Sequence, residues 1–138
     1  MKLKALVAAA LFALAIAVPA RPASAAVSCN PIPQLPYKTE IGNTNTYLIH
    51  WPIYFACDKN ILSATAYGTL KRGGSAFDAK ASEDAPNHFI SFHQHTTPCP
   101  PATQAVYTST ISGVVATLGG VVTVPASTRS ATINCALF

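Results

Sequence analysis

The side chains of this chain best suited to chemistry are its histidines and cysteines. Three of the four histidines fall in the run His88-Phe89-Ile90-Ser91-Phe92-His93-Gln94-His95. Alternate residues of an extended strand share a face and stand about 7 Å apart, so His93 and His95 can both reach one Zn²⁺ or Cu²⁺. His88 has the other parity, and a third ligand must come from elsewhere, such as His50 or a carboxylate. The plainer reading puts His93 and His95 on a solvated face, with Ile90 and Phe92 turned inward. No other cofactor is expected.

Nucleophilic chemistry finds less support. The sequence has no Gly-x-Ser-x-Gly elbow, and no serine or cysteine carries a local catalytic signature. His50 beside Trp51 has the form of a general base with Asp58 as its orienting group; a histidine on the outward face of a strand explains it as well. Of the five acids, Glu83 and Asp84 read as solvated loop residues, and Glu40, Asp58 and Asp78 are scattered, which does not suit paired-carboxylate glycoside hydrolysis. No catalytic residue is assigned. An enzyme is not expected.

The four cysteines, Cys29, Cys57, Cys99 and Cys135, depend on where the chain folds. Lys2 and Lys4, the apolar run from Ala5 to Val18 and the small-x-small pattern Ala23-Ser24-Ala25 have the form of a secretory leader over residues 1–25. That run is shorter than the roughly 20 residues of a membrane span. Cleavage after Ala25 places residues 26–138 outside the cell, or in the periplasm of a cell with an outer membrane, with no membrane contact of their own. Oxidising conditions make two disulfides the expected state, with three connectivities open to four cysteines. An oxidised Cys99 cannot serve as a thiolate ligand.

Removing the leader also changes the charge. The whole chain carries +4, but residues 26–138 hold six basic residues against five acidic ones, a net of +1. No basic stripe remains, so nucleic acid is not an expected partner.

These side chains must be positioned by strands. Thr, Val, Ile, Tyr and Ser recur in short alternating runs broken by Gly and Pro, the pattern of one all-β domain. Pro31, Pro33 and Pro36 suit an edge segment. Tyr47, Ile49, Trp51, Ile53, Phe55 and Cys57 share one face of a core strand, with an edge position or mid-strand bulge expected at Pro52. Leu62, Ala64, Ala66 and Leu70 line one face of the next strand, and Lys71-Arg72-Gly73-Gly74 turns the chain. A short strand over residues 75–81 carries Phe77, a polar loop follows over residues 82–87, and Pro98-Cys99-Pro100-Pro101 closes the histidine strand. Residues 104–118 and 121–137 form a hairpin about Gly119-Gly120. Its second arm breaks at Pro125 and resumes with Ala131, Ile133, Cys135 and Leu137 inward. Six or seven strands at this spacing favour an immunoglobulin-like antiparallel β-sandwich.

The layout resembles that of small secreted bacterial four-cysteine proteins. The first cysteine is followed by Pro36-Tyr37, the second ends an aromatic strand, the third introduces Ala105-Val106-Tyr107, and the last closes Ala131-Thr132-Ile133-Asn134-Cys135. The resemblance implies a β-sandwich with sequential pairing, Cys29 with Cys57 and Cys99 with Cys135, and brings no particular activity. A monomeric binding module for a protein, glycan or cell-wall component is the economical expectation, with Tyr37, Tyr47 and Tyr54 as amphipathic anchors. Self-assembly through the uncharged, β-prone segment 112–124 is the other non-enzymatic reading.

Overall fold

The computed structural model describes residues 26–84, 88–101 and 104–136. The expected leader over residues 1–25, residues 85–87 of the expected polar loop and Leu137 lie outside the described residues, and the side chain of His88 is likewise outside them. The described chain is all-β: ten strands in three antiparallel sheets. That is more than the six or seven strands expected, because long alternating runs are divided between sheets.

The largest sheet has the order β10-β9-β5-β6. β5 (Ser63–Arg72) and β6 (Ser75–Asp84) are joined at Gly73-Gly74, where φ values of 57° and 85° fit the primed two-residue turn that glycine permits. β6 thus extends into the stretch read as a polar loop. β9 (Ala105–Thr117) and β10 (Gly120–Ile133) form the expected hairpin. Its two-residue link is Leu118-Gly119, one residue earlier than expected, and the positive φ belongs to Gly120 at 124°. Pro125 has the expected effect: the ladder shifts register between Val124 and Ser127.

Two three-stranded sheets, side by side, cover the inner face of this sheet. One is β1-β4-β7, made of β1 (Cys29–Pro31), β4 (Ile53–Ile61) and β7 (His88–His93). The other is β2-β3-β8, made of β2 (Tyr37–Glu40), β3 (Tyr47–His50) and β8 (Thr96–Pro98). Pro52 separates them. Lacking an N–H, it interrupts the ladder between His50↔Thr96 and Ile53↔His93, leaving Trp51-Pro52 opposite Gln94-His95. The amide of Trp51 donates to the His95 carbonyl at 3.0 Å across this corner. The interruption is therefore a boundary between two sheets, rather than the edge position or mid-strand bulge expected at Pro52.

The core has two lobes to match. Ile53, Phe55 and Cys57 pack against Ala64, Ala66, Ile111, Val115 and Val124 in one; Ile49 and Trp51 pack against Leu70, Tyr107 and Ile133 in the other. Tyr47, Ile49, Trp51, Ile53, Phe55 and Cys57 all face inward, as their spacing predicts. Leu62 does not: it is exposed in the turn after β4, and its amide donates to the Ala116 carbonyl. The buried face of β5 is instead Ala64, Ala66, Gly68 and Leu70.

Gly113 shows why a glycine interrupts an apolar strand: a Cβ there would lie 2.8 Å from the Phe55 ring. The disulfides are sequential. Cys29–Cys57 joins directly opposed residues of β1 and β4, and Cys99–Cys135 ties the end of β8 to the chain beyond β10.

Candidate functional site

β7 takes the parity opposite to the one expected. Residues directly opposite each other in an antiparallel pair share a face. β4 pairs with β7 as Ile53↔His93, Tyr54↔Phe92, Phe55↔Ser91 and Ala56↔Ile90. With Ile53 and Phe55 committed to the core, His93 and Ser91 turn inward while Phe92 and Ile90 turn out. A one-residue change of register exchanges the two faces, so alternation within β7 alone could not distinguish them. Ile90 and Phe92 are 48% and 51% exposed, whereas Ser91 is wholly buried.

The inward histidines meet β6. His93 Nε2 stands 3.0 Å from Asp84 Oδ1, an ion pair when the imidazole carries a proton, and Asp84 Oδ2 is buried without a hydrogen-bond partner. His95 Nε2 is 3.4 Å from Ser82 Oγ, and its ring lies 5.3 Å from that of Trp51. Further along, buried Trp51 Nε1 donates to Thr97 Oγ1 at 2.8 Å, and Thr97 Oγ1 donates to Asp78 Oδ2 at 2.5 Å. Lys80 pairs with the same carboxylate at 3.5 Å. Asp84, read as a loop residue, and Asp78, read as scattered, therefore belong to one polar seam.

Burial, then His93 and Lys80, hold the His95 imidazole below its ordinary pKa against the opposing pull of Asp78. Burial raises the Asp78 carboxyl, but the Thr97 and Ala79 hydrogen bonds and Lys80 outweigh it, leaving the group below the usual carboxylate value.

His93 and His95 do share a side, with ring centroids 6.3 Å apart and planes at 19°. They are partly buried against β6 rather than solvated. No three His, Cys, Asp or Glu side chains converge on a possible metal position among the described residues. His50, the suggested third ligand, is on the outer face of β2-β3-β8. There Gln94 Nε2 donates to its Nδ1 at 3.0 Å, so the ring proton sits on Nε2 and donates to Thr39 Oγ1 at 2.6 Å. Tyr37 stacks on the ring, with centroids 4.8 Å apart. Asp58 is not the orienting group for His50: its carboxylate accepts from the Ser28 amide at 2.9 Å.

The three tyrosine anchors are not brought together. Tyr37 stacks on His50, Tyr47 lies beneath the Lys38 ammonium at 4.3 Å, and Tyr54 meets Phe92 edge-on at 5.3 Å. The last contact belongs to an exposed apolar face on β1-β4-β7, where Tyr54 and Ala56 stand beside Phe92 and Ile90. Register adds Asn30 opposite Ala56, and the Ile32 amide donates to the Tyr54 carbonyl.

A cleft of about 580 Å³ lies between the first described residues and the β9–β10 tip, lined by Val27, Lys59, Leu118 and Val121 among others. Lys59 is its one titratable lining side chain among the described residues. The segment 112–124 is divided: β9 is paired on both sides, while Val121–Val124 lies on the edge strand β10.

No protein-family model matches the chain, and no curated protein matches it. Two disulfides are typical of proteins that fold in an oxidising compartment.

Proposed function

We propose that the chain is an exported, disulfide-stapled binding domain, not an enzyme, and that it engages a protein partner through the outer face of β1-β4-β7. The observation that carries this reading is the outward Ile90 and Phe92, contiguous with Tyr54. Interface cores are enriched in aromatics and depleted of charge, and contiguous exposed apolar surface marks such sites. The row of Ile32, Tyr54, Ala56, Phe92 and Ile90 contains no charged side chain; Asn30, opposite Ala56, and Asp58, two residues further along β4, border it. Its scarcity of hydrogen-bonding groups favours a protein over a glycan, whose hydroxyls need polar partners. The leader pattern and the two disulfides support export, and the resemblance to small secreted four-cysteine proteins agrees with it.

Photo-crosslinking in the native medium tests the proposal. A benzophenone side chain at position 92 is expected to give a defined protein adduct, and one at Thr69, on the large sheet, is not. Unlabelled parent should compete for the adduct and the Ile90→Ser/Phe92→Ser variant should not. Equal adducts at both positions, effective competition by the variant, or loss of binding after glycan removal from the medium would each reject this surface or this class of partner.

A further inference from the structure

We infer that the corner formed by Trp51, His95 and β6 is a pH-sensitive clasp, closed when His95 is neutral and released when it takes a proton. The reason lies in how the corner is held. β6 and β7 are edge strands of different sheets, and no backbone hydrogen bond joins them among the described residues. Side chains bridge the gap: Asp84 to His93, Ser82 to His95, and Asp78 through Thr97 to Trp51. Because Pro52 breaks the ladder, His95 lies in neither β7 nor β8.

The charged and titratable groups around His95 leave its proton poorly placed. β6 contributes Asp78, Lys80 and Asp84 toward the seam, while Glu83, opposite Thr65, has the other parity. The same chain segment contributes His93, and His50 is held by Gln94 on the other side of the connection. The β3–β4 link contributes only the uncharged Trp51 ring. Asp84 is engaged with His93, and Asp78 with Thr97, the Ala79 amide and Lys80. Ser82, the hydrogen-bond partner of the His95 ring, carries no charge to balance a cation.

The sign follows from this placement. The closed form resists protonation of His95, whereas an opened corner restores its ordinary value, roughly 6.5. Above that pH both forms hold a neutral ring and the clasp keeps its full stability. As pH falls below it, the open form binds the proton first and gains population. Cys99–Cys135 tethers the chain immediately beyond β8, so the corner can part while both core lobes remain stapled.

The full chain contains a single tryptophan, which makes Trp51 a specific reporter. Proton NMR across about pH 7.5 to 5 should give His95 a midpoint below that of a free imidazole. Amide exchange, expressed as protection factors, should show Trp51, Thr96 and Thr97 losing about tenfold or more relative to β9 over that range, with matching Trp51 fluorescence changes. His95→Gln should remove this pH dependence. A His95 midpoint at or above the free value would overturn the clasp even if that variant fails to fold. Equal pH dependence in parent and His95→Gln, or uniform loss of protection including β9, would overturn it too.

Discussion

At the β1/β10 seam, Val27 and Val122 pack against the core lobe that contains Val124 and the Cys29–Cys57 disulfide; at the β6/β7 seam, Asp84, Ser82 and Asp78 face His93, His95 and Thr97. Both bring together edge strands of different sheets without a shared backbone ladder. The first is held by apolar burial and a covalent bond, neither of which depends on protonation near neutral pH. The second is held by groups whose charge and hydrogen bonding are set by the solution. One fold thus contains a fixed seam and a conditional one, and the conditional seam lies beside the only tryptophan.

The comparison can be broken from its strong side first. Replacing Cys29 and Cys57 together by alanine should cost about 2–4 kcal/mol in urea unfolding, with the same loss at neutral and mildly acidic pH; a loss confined to acidic pH would contradict the fixed character of that seam. Gly113→Ala, which drives a methyl into the Phe55 ring, should cost about 1–3 kcal/mol, again without pH dependence.

Asp78→Asn addresses the conditional seam. Because the folded carboxyl lies below its ordinary value, its contribution is complete above roughly pH 4 and is lost as pH falls through the lower folded value. The variant should therefore show a shallower acid limb in thermal melts, and an unchanged limb would remove Asp78 from the seam. The smallest effect is expected from Phe92→Ser. It lies on the outer face, so urea stability should change by no more than about 0.5 kcal/mol while partner crosslinking is lost. A large loss of stability would place Phe92 in the core after all.

Much of the fixed part was legible in the sequence. Tyr47 to Cys57 alternates over enough positions to define a buried face, and Pro125 marks a break in the last strand. Local chemistry decides both, whereas the need for glycine at position 113 is set by the distant Phe55 ring. The candidate surface and the polar seam were not legible, because they depend on register. Ile90 and Phe92 face out only because Ile53 and Phe55, more than thirty positions earlier, fill the core opposite them. Asp84 becomes a partner of His93 only after β6 extends through a stretch whose composition resembles a loop. Likewise, Pro52 announces an interruption, but the division into two sheets depends on the opposing segment at Gln94-His95.

The sequential disulfides also set how far the domain can stretch under load. A pull applied across Cys29 and Cys135 would pass through each cystine, bypassing residues 30–56 and 100–134 enclosed in the covalent loops. Only residues 58–98 lie between the loops and can pay out, to roughly 140 Å at about 3.3–3.6 Å per residue. The yielding segment contains all of β5, β6, β7 and β8, and with them every part of the His95 corner except Trp51, which stays inside the first covalent loop. Mechanical extension and loss of the conditional seam would therefore occur in the same stretch of chain.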